Sequence, residues 1–457
     1  MTLAGMGLVA RRAGAKAPDG NEDVSFLRAV DPDYGKYRMV FNSRIERKPA
    51  IIAVCLNEAG VRKAVQLARA EGMAASIKSG GHHFEGYCIN DGGMVIDLAM
   101  MNHHRRGATG RVIAEPSVRL MQVYENLMPQ GRLLPSGSCA MVGLSGITLG
   151  GGYGLYAREH GLTCDWLRRA RLVDGSGNVH EVAEGSDLMW ALRGGGGGGL
   201  GVVTEMEFDT VPCPKGIWSH RFKAYRLKPA QLAEKTHAWF DAAAGLPRHA
   251  FAAHVLEDTT LTLLVTSTRQ APDAGLRKAL QEMAAFTDEA FPGKYSPLPG
   301  GTRRYYGKRS PLPFRNASAG YYRRYRDIAP AIEEIAELVA RNTKLVYQIN
   351  ALGGAIDDPV AENHSVYAHR GYPFLGEIQG YWDEPALANR LIAAVARVQA
   401  LLLQAGVTRH YANYADGDLA QWAESYYGEV GYRKLQAVKK RLDPDNVFRH
   451  PQSIALP

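Results

Sequence analysis

Two glycine-rich stretches in the first third of the chain decide the fold. They are Lys78-Ser79-Gly80-Gly81-His82 and the run CAMVGLSGITLGGGYG from Cys139 to Gly154. A third cluster follows, with consecutive glycines from Gly194 to Gly199 and then Gly201-Val202-Val203-Thr204. Because glycine lacks a Cβ, such loops let backbone N–H groups approach a pyrophosphate closely. Three clusters of this kind predict one large dinucleotide that is held by several loops.

A Rossmann domain is the alternative explanation of these glycines. Gly194, Gly196 and Gly199 satisfy the pattern G-x-G-x-x-G, but any long run of glycines does so. The Rossmann fingerprint also needs a strand before it, a helix after it and an acidic residue about 20 positions on. No long helical pattern follows Gly201, so the sequence argues against this fold.

The composition is that of an ordinary globular protein, with 46% hydrophobic and 22% charged residues among 457. At about 100–200 residues per domain, this length predicts two or three domains. The net charge of +8 is dispersed, which argues against a nucleic-acid partner. No run of 18 apolar residues occurs, so we expect no membrane span.

Cysteine and histidine spacing gives no sign of a disulfide framework or a metal site. The five cysteines are widely spaced and include no C-x-x-C pair. The histidine pairs 82–83 and 103–104 are adjacent in the chain, and neighbouring residues do not share a helix or strand face. H-E-x-x-H is absent. We therefore expect no metal.

The pattern of strands and helices divides the chain into four parts. We predict an N-terminal tail over 1–30, a glycine-rich domain over 31–214, an inserted α+β domain over 215–410, and a C-terminal segment over 411–457 that returns to the glycine-rich domain. Amphipathic helices are predicted at 276–287, 328–341 and 385–405. The tail has two explanations: the remnant of an export signal, which implies a periplasmic or secreted protein, or a frayed terminus of a cytoplasmic one.

These motifs resemble the berberine-bridge-enzyme-like flavoprotein oxidases of the vanillyl-alcohol-oxidase superfamily, from about residue 35 to 455. Lys78–His82 is similar to the family's R-S-G-G-H turn, with Lys in place of Arg. Cys139–Gly154 is similar to its C-x-x-V-G-x-x-G-x-x-x-G-G-G-x-G loop. Further matches are Asp187–Arg193, 201–204, Asn413-Tyr414, Trp422-x4-Tyr427-Gly428, Leu435-x2-Val438-Lys439, Asp443-Pro444-x-Asn446-x-Phe448-Arg449 and Gln452-Ser453-Ile454. Gly199 and Leu200 depart from the family's usual Asn and Phe.

The resemblance implies an α+β fold. It consists of a two-lobed PCMH-type FAD-binding domain and an inserted α+β substrate-binding domain, whose antiparallel sheet is covered by helices. It also implies FAD joined to the protein twice, with His82 bonded to the flavin 8α-methyl carbon and Cys139 to C6. His83 is the rival for the histidine link. Val142 resembles the residue that admits O2 in the family's oxidases, where dehydrogenases have leucine.

The resemblance also implies which residues bind the flavin. The predicted cofactor-binding residues are Lys78, Ser79, Gly80, Gly81, His82, His83, Gly86, Ser138, Cys139, Val142, Gly143, Gly146, Gly150, Gly151, Gly201, Val202, Asn413 and Tyr414.

Hydride transfer from an alcohol leaves a proton that a base within hydrogen-bond reach must accept. Tyr414 matches the family's active-site tyrosine, and a nearby cation or the flavin would lower its pKa from about 10. The other explanation is a buried tyrosine whose hydroxyl is satisfied. Gln348 and Asn350 alternate along one predicted strand, and Gln379 lies in another, so these polar side chains are candidates for lining a substrate cleft.

The predicted function is an FAD-dependent oxidase of an alcohol carbon, in a carbohydrate or a hydroxylated secondary metabolite. Hydride would pass to flavin N5, and O2 would be reduced to H2O2. The alternatives are an amine or alkaloid C–N oxidase of the hydroxynicotine-oxidase type, a flavin dehydrogenase with another acceptor, and a flavin-binding protein without turnover. The expected partners are a small-molecule substrate and O2, and the expected assembly is a monomer or homodimer.

Overall fold

The computed structural model describes residues 23–197 and 199–457. Most of the predicted N-terminal tail, and with it the question of an export signal, lies outside the described residues. The strands of the first half are β1 (Val24–Leu27), β2 (Ile51–Cys55), β3 (Ala75–Lys78), β4 (Met94–Asp97), β5 (His104–Arg106), β6 (Arg111–Ala114), β7 (Arg132–Leu133), β8 (Leu167–Val173), β9 (Val179–Ala183), β10 (Val202–Asp209) and β11 (Val211–Pro212). The helices are α1 (Tyr34–Arg38), α2 (Glu58–Ala70), α3 (Leu120–Leu127), α4 (Leu144–Leu149), α5 (Ala157–His160) and α6 (Asp187–Leu192).

Two sheets form the two lobes of the first domain. The first sheet has the order β1-β2-β4-β3, with β4 parallel to both β2 and β3. The second is antiparallel, with the order β5-β6-β10-β8-β9. Asn57 caps the N-terminus of helix α2 by accepting a hydrogen bond from the Gly60 amide, and the apolar face of the helix is buried against the first sheet. The residues after Gly201 form the strand β10 and not a helix, as expected for a chain without a Rossmann domain.

The second half of the chain forms one large sheet with helices on one face. Its elements are β12 (Gly216–Ala224), α7 (Pro229–Ala244), β13 (Ala250–Glu257), β14 (Thr260–Ser267), α8 (Ala274–Ala285), β15 (Glu289–Pro297), α9 (Gly300–Arg303), β16 (Phe314–Tyr322), α10 (Ile332–Arg341), β17 (Leu345–Ala351), α11 (Pro359–Asn363), β18 (Phe374–Tyr381) and α12 (Ala388–Gln404). The seven strands pair antiparallel in the order β15-β12-β14-β13-β17-β18-β16. Helices α7, α8, α10 and α12 bury a common apolar core against it, which confirms the α+β class.

One helical segment is unusually apolar. Among the described residues, Pro385–Gln404 has the length and composition to cross a membrane, with a mean hydropathy of 1.5. Its Leu391, Val395 and Leu402 side chains are buried in the core of the seven-stranded sheet. This packing is typical of the core helix of a domain. The sequence predicted no membrane span.

The C-terminal helix α13 (Trp422–Leu442) returns to the glycine-rich domain. It bends at Gly428, where φ is 66°. The fully buried Lys439 ammonium donates to the carbonyl oxygen of Gly199 (2.7 Å) and pairs with Asp443 (2.7 Å). The end of the chain is therefore anchored on the third glycine cluster.

A buried ion network joins the sheet to both other parts of the molecule. Arg315 on β16 is 4% exposed. Its guanidinium bonds to Glu85, which follows the first glycine cluster, and to Asp416 and Asp418 in the C-terminal segment. Because Arg315 and its partners come from three regions of the chain, this arginine fixes the three regions around the space they enclose.

Candidate active site

The three glycine clusters, the open face of the seven-stranded sheet and the C-terminal segment enclose one cavity of about 670 Å³. Sixteen of the residues predicted from the sequence line it. They are Ser79, Gly80, Gly81, His82, His83, Ser138, Cys139, Val142, Gly143, Gly146, Gly201, Gln348, Asn350, Gln379, Asn413 and Tyr414. Residues from four distant parts of the chain therefore meet at one site.

Five of the predicted cofactor-binding residues do not line this cavity: Lys78, Gly86, Gly150, Gly151 and Val202. At Gly150 a Cβ would lie 2.0 Å from Asn413 Oδ1, and at Gly86 it would lie 2.6 Å from the Ile45 side chain. These two glycines permit close packing.

The other three predicted residues that do not line the cavity have structural roles elsewhere. Gly151 has φ +113° and fits against Tyr367. Val202 begins β10 and is fully buried in the apolar core of the first lobe. Lys78 ends β3, where its ammonium pairs with the buried Asp97 at 3.1 Å.

His82 faces the cavity as a neutral ring. Its imidazole stacks on Phe41, with ring centroids 4.0 Å apart. Burial lowers the pKa of His82 to about 3, and the positive charge of Arg119 acts in the same direction. An uncharged imidazole nitrogen keeps its lone pair and is therefore nucleophilic at neutral pH.

His83 lies in different surroundings from its neighbour. Its Nδ1 accepts a hydrogen bond from the Glu85 amide at 3.2 Å, and its ring packs against Tyr87, with centroids 4.9 Å apart. Because that Nδ1 is occupied and the ring is held by Tyr87, His83 is the less available of the two histidines.

The Cys139 thiol is free and opens into the cavity. The Cys139 side chain is exposed to the open cavity, yet desolvation by the surrounding protein raises the pKa of its thiol to about 11, and the charge of Glu377 acts in the same direction. Val142, three residues on, also lines the cavity. The second glycine cluster thus presents both residues to the same space.

The loops that carry His82 and Cys139 touch each other through glycines. A Cβ on Gly80 would lie 2.4 Å from the amide nitrogen of Gly143, and a Cβ on Gly143 would lie 2.5 Å from Ser79 Oγ. Any side chain at either position would push the loops apart, so glycine is required at both.

A row of hydrogen bonds crosses the open face of the sheet and ends at Tyr414. Gln379 Nε2 donates to Gln348 (3.4 Å), and Gln348 Nε2 donates to Asn350 (2.8 Å). Asn350 Nδ2 donates to the Tyr153 hydroxyl (3.0 Å), which bonds to the Tyr414 hydroxyl. The three amides predicted from the sequence are thus connected to the tyrosine.

Tyr414 is held firmly and kept protonated. Its ring stacks on Phe84 with centroids 5.3 Å apart and planes 8° from parallel. Burial raises the pKa of Tyr414 well above its ordinary value, and the negative charge of Glu377 raises it further. From the sequence we expected a cation or the flavin to lower this pKa, but the protein groups around the hydroxyl have the opposite effect.

Glu377 is a site residue that was not among those predicted from the sequence. It lies on β18 and lines the cavity. Burial raises the pKa of Glu377 to about 8, while the neighbouring Tyr414 hydroxyl and Gln379 amide oppose the rise. The strand sequence FLGEIQGY (Phe374–Tyr381) does contain a signal for this residue. Alternation along a strand places Glu377 on the same face as Gln379, which was predicted to line the cleft.

Comparisons with known proteins agree with this arrangement. Residues 49–183 match the model of an FAD binding domain, and residues 410–455 match the model described as berberine and berberine like. The chain is 30% identical to chitooligosaccharide oxidase of Gibberella zeae over 91% of this chain and 89% of that protein. The chain belongs to the berberine-bridge-enzyme-like family of FAD-linked oxidases.

Other relatives of this berberine-bridge-enzyme-like protein support the same assignment. An uncharacterised FAD-linked oxidoreductase of Bacillus subtilis is 29% identical, over 93% of this chain and 95% of that one. The solved chitooligosaccharide oxidase has a TM-score of 0.83 at 28% identity, over 95% and 97% of the two chains. A glucooligosaccharide oxidase from Acremonium strictum, described with a 6-S-cysteinyl, 8α-N1-histidyl FAD, has a TM-score of 0.84 at 26% identity, over 94% and 97%.

The protein is accordingly an FAD-linked oxidoreductase, and its cavity fits that cofactor. Gly146 and Gly197 line the cavity, and a Cβ on either would meet no atom within 4 Å. Packing therefore does not require glycine at these positions, whereas a side chain there would take up cavity space. His82 and Cys139 supply a nucleophilic nitrogen and a thiol at the same cavity.

Proposed function

We propose that this protein oxidises an alcohol carbon of a carbohydrate or a hydroxylated metabolite. The flavin is joined to both His82 and Cys139, and O2 is reduced to H2O2. One observation carries the proposal: His82, Cys139 and the Tyr414–Glu377 pair all face one cavity. The two attachment residues define where the flavin lies, and the pair supplies a route for the proton at the same place.

When bound, FAD supplies the hydride acceptor, and the protein must remove the hydroxyl proton. Tyr414 alone does not serve as the base near neutral pH, because its raised pKa keeps the hydroxyl protonated. Glu377, with a pKa of about 8, is the stronger acceptor in its carboxylate form. The Tyr414 hydroxyl therefore takes the substrate proton while it gives its own to the Glu377 carboxylate, so that no buried tyrosinate is formed.

The row Gln379–Gln348–Asn350 is suited to a substrate with several hydroxyl groups. Amide side chains offer both donors and acceptors, and they lie along the sheet face beside Tyr414. The chitooligosaccharide and glucooligosaccharide oxidases among the relatives support a carbohydrate. Val142, a small side chain at the cavity wall, supports O2 as the acceptor.

Oxidation of an amine C–N bond is the second candidate. A single observation favours it: the cavity holds a buried carboxyl, Glu377, which in its charged form would pair with a substrate ammonium. The two candidates differ in the compounds that reduce the flavin.

The test starts with acid precipitation of the purified protein and mass mapping of flavin-bearing peptides. The expected result is flavin attached to the peptides that contain His82 and Cys139, with H82A and C139A each retaining the other link. Peroxide release is then measured with mono- and oligosaccharides, aromatic alcohols and amines. Flavin released entirely to the supernatant would refute the covalent links. Turnover of amines alone would replace the alcohol proposal with the second candidate.

A further inference from the structure

The loops that carry His82 and Cys139 share one arginine that neither loop contains. Arg119 Nη1 donates to the carbonyl oxygen of Gly80 (2.7 Å) and to that of Met141 (2.8 Å). Gly80 lies two residues before His82, and Met141 lies two residues after Cys139. One nitrogen atom therefore connects the backbones of both attachment loops.

The chain around Arg119 is built into the same junction. The backbone amide of Leu120 donates to Val142, and that of Leu144 donates to Val118. The Ser79 hydroxyl donates to the carbonyl of Pro116 at 2.8 Å. Residues 116–121 thus form the common support of the two loops, and Arg119 is the side chain that spans the gap between them.

The charge of Arg119 is unusual for its position. Among residues 23–197 and 199–457, no carboxylate lies within ion-pair distance of it. Burial lowers the pKa of its guanidinium, and the more distant charge of Asp97, which pairs with Lys78, opposes this effect. A half-buried charge without an ion-pair partner is costly, and this guanidinium donates from one nitrogen to both loops. The cation has a further effect that an amide would lack: it disfavours protonation of His82.

We propose that Arg119 is a positioning residue that couples the two flavin attachments, by holding the His82 and Cys139 loops at a fixed separation. This inference rests on the proposed double attachment. Each attachment replaces one hydrogen on the side-chain atom and one on the flavin carbon. The two protons and two electrons pass to O2, which becomes H2O2. Both bonds can form on one flavin only if the separation of the two loops matches the distance between the two flavin carbons.

The test compares R119Q and R119K with R132Q. Arg132 is the matched control because it also lies half-buried in the same domain and donates to backbone and side-chain oxygens, at Thr210 and Gly110, away from the cavity. Each protein is expressed with its flavin, precipitated with acid and digested. The readout is the fraction of flavin that carries both the His82 and the Cys139 peptide, measured beside the melting temperature.

We expect R119Q to lose the doubly attached flavin by about ten-fold, with singly attached flavin in its place, because small misplacements of reacting groups have large effects on rate. R119K keeps the charge but has a shorter reach, so it should be intermediate. R132Q should carry the wild-type fraction of doubly attached flavin even if its melting temperature falls. Wild-type double attachment in R119Q, or an equal loss in R132Q, would overturn the inference.

Two further outcomes are also decisive. If R119Q does not fold, R119K takes its place: an excess of singly attached flavin supports the inference, and the wild-type pattern overturns it. If the wild-type protein itself releases all its flavin, the proposed double attachment fails and the role of Arg119 fails with it. Because that result is read from the wild type, it is distinct from a failure of the arginine alone.

Discussion

Replacing Glu377 with glutamine keeps the shape of the side chain and removes its ionisable proton. We expect kcat/KM to fall by about 10²- to 10⁴-fold, the usual contribution of a general base. The pH profile should change as well. In the wild type the rate should rise with pH through the Glu377 pKa of about 8, because only the carboxylate accepts the proton. E377Q should lack this rise, and E377D should retain it.

E377Q should also have a larger free energy of unfolding than the wild type. Glu377 has an ordinary pKa of 4.5 and a folded-state pKa of about 8, so the folded protein holds a proton that the unfolded chain releases. Stability therefore falls as pH rises from 4.5 to 8 and is unaffected by this group below 4.5. At about 1.4 kcal/mol per pH unit, the cost at pH 7 is about 3 kcal/mol, and glutamine removes it.

The assay is chemical denaturation of wild type, E377Q and E377D at pH 4, 7 and 8.5, beside peroxide release over the same range. The stability gain of E377Q should be near zero at pH 4 and largest at pH 8.5. A pH-independent gain would show that packing and not ionisation is responsible. An unchanged pH profile in E377Q would refute the role of Glu377 as proton acceptor.

Three further predictions concern the loops and the ion network. C139A should retain flavin through its histidine link alone, which mass mapping of the flavin peptide would show, whereas flavin loss to the supernatant would contradict it. G80A should not assemble the cavity, because its Cβ would lie 2.4 Å from the Gly143 amide nitrogen. G300A, whose Cβ would meet nothing within 4 Å, is its control, and flavin content per chain is the measurement. R315M leaves the buried Asp416 carboxylate without its arginine, whereas Glu85 keeps Arg44. It should cost about 3–5 kcal/mol in denaturation experiments, so a loss below 1 kcal/mol, the range of exposed pairs, would contradict the role of the network.

The fold and one side of the site could be predicted from the sequence because glycine clusters leave local signals. The α+β class followed from the pattern of strands and helices and from the family resemblance that the glycine motifs carry. The structure places His82 and Cys139 at one cavity. Glu377 could not be predicted as easily, since a carboxylate in an alternating strand resembles a solvated one until the tertiary burial is known. Gly150 shows the same limit. A Cβ at this position would clash with Asn413, which lies 263 positions later in the chain.

Tyr153 was quoted within a glycine motif but not recognised as a link in the hydrogen-bond row. Its role depends on two distant partners, Asn350 on β17 and Tyr414 near the C-terminus. Local sequence patterns carry information about a turn or a strand face, whereas a bond between three separate elements depends on how the elements pack. The missed residues are of this second kind.

The anchor between Lys439 and Gly199 has a consequence for biosynthesis. The two residues are separated by 240 positions, and the carbonyl of the third glycine cluster has no ammonium to bind until α13 has left the ribosome. At about 5–20 residues per second, that interval lasts roughly 10–50 s. During this time the nascent chain holds the glycine loops without the C-terminal wall of the cavity. The cavity therefore acquires all of its walls only after the C-terminal segment has been synthesised.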